Sequence, residues 1–535
     1  MGAAASHANL RKIHQWHRKR HQGTARLPNQ HLTLRRTVLG MRRSGVHRGG
    51  MVFSTTKSLV SALRDRRISA VELVDHAIAR IDEVDARLNA VVVRDFERAR
   101  IAAKAADVAL ARGQPGALLG VPMTVKEAFN VAGLPTTWGI PGTDTIKVSE
   151  DAVAVARLKA AGAIVIGKTN VPTNLADWQT CNPVYGVTNN PWDVGRSPGG
   201  SSGGSAVALA AGYVSLELGS DLSGSLRVPA HCCGVFAHKP THGLVPMRGS
   251  APPGTPVLIG APDIDFAVAG PMARSAQDLG LAIGVLAGPD VASATGYRLA
   301  LPPPRHTRLS DFRVLVLERH PMLPTSSGIR QAVHRFAEGL IAVGCKVDRQ
   351  GTKVPDLLLV ASTFTKMLMS FFGADMPAAA YQGAQIGASA LDVSDDSPAS
   401  SQLRGLVMTH RDWILADRVR SAVADQWRQL FRDWDVVVCP VLPTEAIVHD
   451  HTEMNERFIV VDGAPVPYLV QGVWTSAATF SGLPATSMPI GLSGNGLPLG
   501  VQIVGPHLED HTTITFADLA EREFGGFVPP PALAS

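Results

Sequence analysis

The run from Gly199 to Ala230 constrains this chain more than any other. It opens with Gly199-Gly200-Ser201-Ser202-Gly203-Gly204-Ser205 and continues as a small-residue helix through Ala211 and a β-like stretch from Val214 to Leu218. It closes with Gly219-Ser220-Asp221-Leu222-Ser223-Gly224-Ser225-Leu226-Arg227-Val228-Pro229-Ala230. Two glycine- and serine-rich turns thus bracket one helix–strand unit, which can fold both serine-bearing loops back to a common point. Loops of this kind present backbone N–H groups in a concave array suited to an anion, including an oxyanion that develops during a reaction. Two ordinary flexible turns would be the plainer interpretation. It leaves the concentration of Gly, Ser and Asp at both ends unexplained.

Around this block the chain reads as a large α/β protein. Length alone, 535 residues, would suggest several domains at about 150 residues each, although large α/β enzymes often exceed that size. Apolar residues make up 45% and charged residues 18%, which excludes wholesale disorder. Ser69-Ala70-Val71-Glu72 is a capping-box pattern, followed by Val74, Ala77, Ile78, Ile81 and Val84 at helical spacing. A helix over about 151–161 should stop at Gly162, with Ala163 to Ile166 as a buried strand. Val314 to Leu317 reads as another strand, and Ile329, Val333, Phe336 and Leu340 mark a further helix. Residues 287–311 and 383–402 read as surface loops or a lid. Alternating helices and short apolar strands predict an α/β sandwich.

The net charge of +6 belongs to one end. Residues 1–50 carry eleven Lys/Arg, six His and no acid, leaving 40 basic against 45 acidic residues over 51–535. The 1–50 segment lacks an apolar face and is expected to be a disordered extension, with 51–535 as the working domain. Arg35-Arg36 resemble an export signal, but Arg42-Arg43 and Gly45 occupy the place of its apolar core. No uninterrupted apolar run approaches the ~18 residues of a membrane span. The five cysteines have no metal-ligand spacing, so buried, reduced thiols are expected in a cytoplasmic protein.

Two short patterns are decoys. Gly162-Ala163-Ile164-Val165-Ile166-Gly167-Lys168-Thr169 fits the phosphate-binding loop, yet its four central residues form an apolar β-run rather than a loop of exposed amides. Gly200-Ser201-Ser202-Gly203-Gly204 fits the nucleophile elbow of α/β-hydrolases, yet loop, not strand, precedes it.

Taken together, the motifs strongly resemble those of the amidase signature family over about residues 55–525. The ordered matches are Gly120 to Glu127, Gly167 to Pro172, Asn182-Pro183 to Pro191-Trp192, the 199–230 block and Lys239-Pro240-Thr241. Asp435 to Pro443, Ser481 to Ala485 and Gly496 to Gln502 continue the series. The resemblance implies a large mixed β-sheet covered by helices on both faces. It also implies a Ser–Ser–Lys triad, with Ser225 as nucleophile, Ser201 as the bridging serine after a cis peptide bond and Lys126 as base. The amides of Leu222, Ser223, Gly224 and Ser225 would form the oxyanion hole, and Leu175 falls where the family lines its acyl pocket. Ser223 and Ser220 depart from the glycine and threonine usual at these places, so Ser223 could restrict the oxyanion loop.

These residue types suit acyl transfer. A serine hydroxyl needs a base, and a lysine can serve when burial depresses its pKa. His231 and His238 are expected to be packed, hydrogen-bonded histidines. The expected substrate is a small amide, ester or carbamate, as in the bacterial aryl-acylamidase or carbamate-cleaving type, with Trp138, Leu175 and 383–402 shaping the pocket. No metal, organic cofactor, nucleic acid or membrane is expected; homo-oligomerisation is left open. The alternatives are a catalytically silent amidase-like binding protein, a component of amidotransferase type and, more distantly, a nucleotide-binding enzyme.

Overall fold

Strands from one end of the chain to the other enter a single eleven-stranded sheet in the computed structural model, which describes residues 52–534 except 262 and 396. The expectations for residues 1–50 lie outside the described residues. The strands are β1 (Val91–Arg94), β2 (Pro122–Lys126), β3 (Ile164–Thr169), β4 (Leu216–Asp221), β5 (Phe236–Lys239) and β6 (Val268–Ala273). β7 (Arg313–Val316), β8 (Lys346–Asp348), β9 (Val436–Pro440), β10 (Ala485–Leu492) and β11 (Pro498–Val504) complete it. Their spatial order is β1-β3-β2-β4-β6-β5-β10-β11-β9-β7-β8. The sheet is mixed: β2 runs parallel to β3 and β4, whereas β6 is antiparallel to β4 and β5.

Alternation along the strands explains the layers. Val314, Val316, Val436 and Val438 pack in one core with helices Ala276–Leu286 and Ser327–Ala342. Leu315, Val437 and Cys439 pack in another with Leu357–Ala374 and His410–Asp433. Successive side chains leave a strand on opposite sides, so a sheet apolar at consecutive positions needs helices on both. The expected α/β sandwich is the fold observed.

Local sequence signals hold where the chain needs no remote partner. Ser69 caps helix Ala70–Leu88 in a full capping box with Glu72. Helix Val153–Ala160 ends before Gly162, whose φ of 96° reverses the chain into β3. Two expectations are corrected. Much of 383–402 is helical, within Ala378–Ala390 and Pro398–Leu406, the second capped by Ser397. These helices pack beside Leu357–Ala374; Gly405 sits so close to the backbone carbonyl of Lys366 that a Cβ would lie 2.6 Å from it. The second correction concerns β4, which spans Leu216–Asp221 rather than starting at Val214 and stopping at Leu218. Pairing with β2 and β6 holds Gly219 and Ser220 in the sheet despite their turn-forming character.

Candidate active site

Strand β2 carries Lys126 into the interior, where it is fully buried. Its Nζ donates to Ser201 Oγ at 2.7 Å, to Ser220 Oγ at 2.9 Å and to the Ser220 carbonyl at 3.4 Å. Ser201 stands just before helix Gly203–Ala210, and the Gly200–Ser201 peptide bond is cis. No side chain can replace glycine at 200, because a Cβ there would lie 2.5 Å from the Asp177 carbonyl. The helix that follows is buried along its whole length, which its Gly, Ser and Ala residues permit.

Burial lowers the Lys126 amine to about 7, against the opposing pull of the Asp221 and Glu217 carboxylates. A neutral amine is therefore accessible near neutral pH. Activity is expected to rise with pH through a midpoint near 7 as Lys126 loses its proton, measured as kcat/KM with a substrate whose chemical step limits the rate. A flat profile across pH ~6–10 would exclude a titrating lysine base.

The second serine loop is built around Asp221. Its carboxylate accepts from the Gly224 amide at 2.8 Å and the Leu226 amide at 3.1 Å, and from the Arg227 guanidinium twice at 3.0 Å. Burial works to raise the Asp221 carboxyl, but Arg227 overrides it and brings it to about 2. The Ser223 carbonyl accepts from Trp178 Nε1 at 3.0 Å and Thr475 Oγ1 at 3.2 Å. This loop corrects one oxyanion expectation. The Gly224 amide is already given to Asp221, leaving the amides of Leu222, Ser223 and Ser225 without a protein acceptor among the described residues. Gly224 has a φ of 102° and needs to be glycine, whereas Ser223 lies outside the left-handed region, so its side chain imposes no backbone conflict.

Ser201 and Ser225 line one small cavity, of about 50 Å³, together with Trp138, Leu175 and Ser220, without a hydrogen bond between the two hydroxyls. Ser225 also lines an adjoining cavity of about 260 Å³, whose walls include Leu175, Trp178, Leu368, Phe372 and Leu469. No Lys, Arg or His lines the larger cavity. Its one carboxylate, Asp177, is engaged by Arg457 at 2.6 Å and the Tyr468 hydroxyl at 2.5 Å. Leu175 thus faces both cavities, and Gln402 is the part of 383–402 that reaches the larger one.

The neighbouring candidates are structural. Ser202 is fully buried and donates to the Ser220 carbonyl at 3.2 Å, so it is no elbow nucleophile. The 164–169 decoy is strand β3, and Lys168 pairs with buried Glu127 at 3.3 Å. His231 accepts from the Gly500 amide at 3.0 Å and lies 3.0 Å from the Thr444 carbonyl; His238 sits between Thr486 and Asp510. Burial pushes the Cys232 thiol up to about 12, far from a reactive thiolate. No three His, Cys, Asp or Glu among the described residues form a metal-binding group.

Several site residues escape sequence reasoning. Ser220 stands out in the sequence only as a departure from threonine, yet it contacts Lys126 twice. Glu217, buried on β4, accepts from Thr124 Oγ1 at 2.5 Å, and burial pushes its carboxyl up to about 8. Two acids in the otherwise uncharged run Leu216 to Leu226 were the available signal. Trp178 and Thr475 come from distant segments and had none.

A profile of the amidase family matches residues 72–514. The chain belongs to the amidase family. As a family member it is an enzyme of amide C–N bond chemistry. It is similar to the A chain of the glutamyl-tRNA(Gln) amidotransferase of Anaeromyxobacter sp. (strain K), 33% identical over 500 residues, which cover 87% of this chain and 95% of the relative. Among solved structures it is similar to a protein of a vestigial complex that reveals the evolutionary origins of an s-triazine catabolic enzyme. That similarity has 30% identity and a TM-score of 0.74 over 88% of this chain and 99% of the other. The 6-aminohexanoate cyclic dimer hydrolase follows at 25% identity and a TM-score of 0.70, covering 90% of this chain and 98% of that one. A bacterial aryl acylamidase of the amidase signature family, 24% identical with a TM-score of 0.73 over 88% of this chain and 96% of its own, shares the fold.

Proposed function

We propose that this amidase-family enzyme hydrolyses a small amide with an apolar acyl group, through an acyl-enzyme on Ser225. The 2.7 Å Lys126–Ser201 contact beside Ser225 carries the proposal. Ser225 Oγ attacks the carbonyl carbon while its proton passes to Ser201 and the Ser201 proton passes to Lys126. The carbonyl oxygen, now an anion, is held by the amides of Leu222, Ser223 and Ser225. As the C–N bond breaks, Ser201 protonates the departing amine and recovers its proton from Lys126. Water then attacks the acyl-enzyme by the same relay, releasing the acid. Esters and carbamates pass through the same kind of tetrahedral centre and are secondary substrates.

The larger cavity supports an apolar acyl group. An enclosed apolar space of about 150 Å³ holds benzene, so one of about 260 Å³ takes a phenyl or medium alkyl acyl group. The relatives named as components of an amidotransferase favour a second reading, release of ammonia from glutamine for a partner. Glutamine would bring an α-carboxylate into a cavity with no cation to receive it, at a high desolvation cost. Ammonia release from benzamide-type primary amides, and little from glutamine, is the expected outcome; the reverse preference would establish the second reading.

Labelling tests the nucleophile. A fluorophosphonate should leave one adduct per chain on Ser225, because an activated hydroxyl and oxyanion donors coincide there. Labelling should fall sharply in Lys126→Ala. A dominant adduct on Ser202, or inactivation through Cys232 or Cys233, would displace Ser225 from the role. An unlabelled, inactive chain would favour the silent binding protein.

A further inference from the structure

Beyond the small cavity at Ser201 lies a third cavity, of about 230 Å³, formed largely by the proline-rich 248–258 segment with Asn130 and Asp263. It meets the small cavity at four shared residues, Met247, Ser250, Ile264 and Phe371. Three spaces therefore stand in series: the apolar cavity, the small cavity and this outer chamber. Ser225 lines the first two, whereas Ser201 lines only the second. That asymmetry orients a substrate. The proposed proton donor to the leaving nitrogen is Ser201, so the nitrogen must lie on its side of Ser225. The acyl group then points the opposite way, into the apolar cavity.

We infer that the outer chamber is a leaving-group site that takes the distal part of an unbranched N-alkyl amide, threaded past Met247 and Ser250. The small cavity sets the shape of what can pass. At about 50 Å³ it is far below the roughly 150 Å³ that holds a benzene ring, so a methylene chain fits and a ring directly on nitrogen does not. The chamber beyond is wide enough for the chain's end. Its walls mix apolar Val148 and Leu258 with Asn130, Thr255 and Asp263, so a terminal hydroxyl or amine can also be received. This inference rests on the proposed Ser225 acyl-enzyme and extends it to the amine half of the substrate.

The test holds one acyl group, phenylacetyl, constant and varies the amine from ammonia through methylamine and butylamine to hexylamine and 6-aminohexanol. The ratio of kcat/KM for the N-hexyl amide to that for the primary amide is the readout. Met247→Trp and Ser250→Trp should each lower that ratio about tenfold or more, the size of effect that a pocket contact commands. Thr255→Trp, farther along the chamber, should lower it for hexyl and leave the butyl ratio unchanged. Leu469→Trp, in the apolar cavity, should change acyl preference and leave the amine ratio alone. The inference is overturned if the two neck variants leave the ratio unchanged, or if Leu469→Trp moves it as they do. Failure of the unsubstituted enzyme to hydrolyse any of these amides would instead overturn the hydrolase proposal beneath it. Ser225→Ala, inactive on the whole series, keeps the two failures distinct.

Discussion

Ser225→Ala and Lys126→Ala are each expected to lower kcat/KM by at least about 10³-fold, the combined scale of nucleophile and general-base loss. The effect should exceed any other single substitution in the protein. Lys126 lies at the end of the proposed relay, and among its contacts only Ser201 continues toward Ser225. Ser201→Ala interrupts the same relay but leaves the oxyanion amides in place, so a trace of turnover should survive. The Ser225→Ala and Lys126→Ala variants should share a residual rate, because residues that act as one unit lose their effect together. Single-turnover measurements on folded protein check this. Undiminished hydrolysis by Lys126→Ala would remove lysine as the base.

Asp221→Ala should be the most damaging substitution for folding. It leaves the fully buried Arg227 guanidinium without its carboxylate and removes the acceptor of the Gly224 and Leu226 amides. Breaking a buried ion pair from one side costs about 3–5 kcal/mol. Part of the loss should appear in turnover, since those amides hold the loop that carries Ser225. Chemical denaturation beside steady-state kinetics checks both. The expected result is a lower denaturation midpoint together with a reduced kcat. An unchanged midpoint would show that Arg227 finds enough compensation in Thr475, Thr479 and Gln502. Asp221→Asn, which keeps an oxygen acceptor but not the charge, should fall between.

Residue order alone dictates what depends on near neighbours. Ser69 and Glu72 cap a helix because both partners lie within one turn. The apolar run before Lys168 is a strand because its residues are buried together, whatever phosphate pattern overlies them. Family motifs, each local, pointed to Lys126, Ser201 and Ser225.

What those residues meet was settled by the packing of distant segments. Lys126 reaches Ser220 only because β2 and β4 are neighbours in the sheet, and no local pattern encodes that adjacency. Residues 383–402 look irregular in sequence because their polarity reflects an exposed face, while helix formation there depends on packing against Leu357–Ala374. Gly224 is a natural oxyanion donor on its motif, but the fold gives its amide to Asp221. Trp178 and Thr475 fix Ser223 from far along the chain. The cavities likewise arise between segments whose separation in sequence carries no trace of their contact. Short-range chemistry is written in residue order, whereas burial, proton affinity and cavity shape follow from which distant surfaces exclude water from one another.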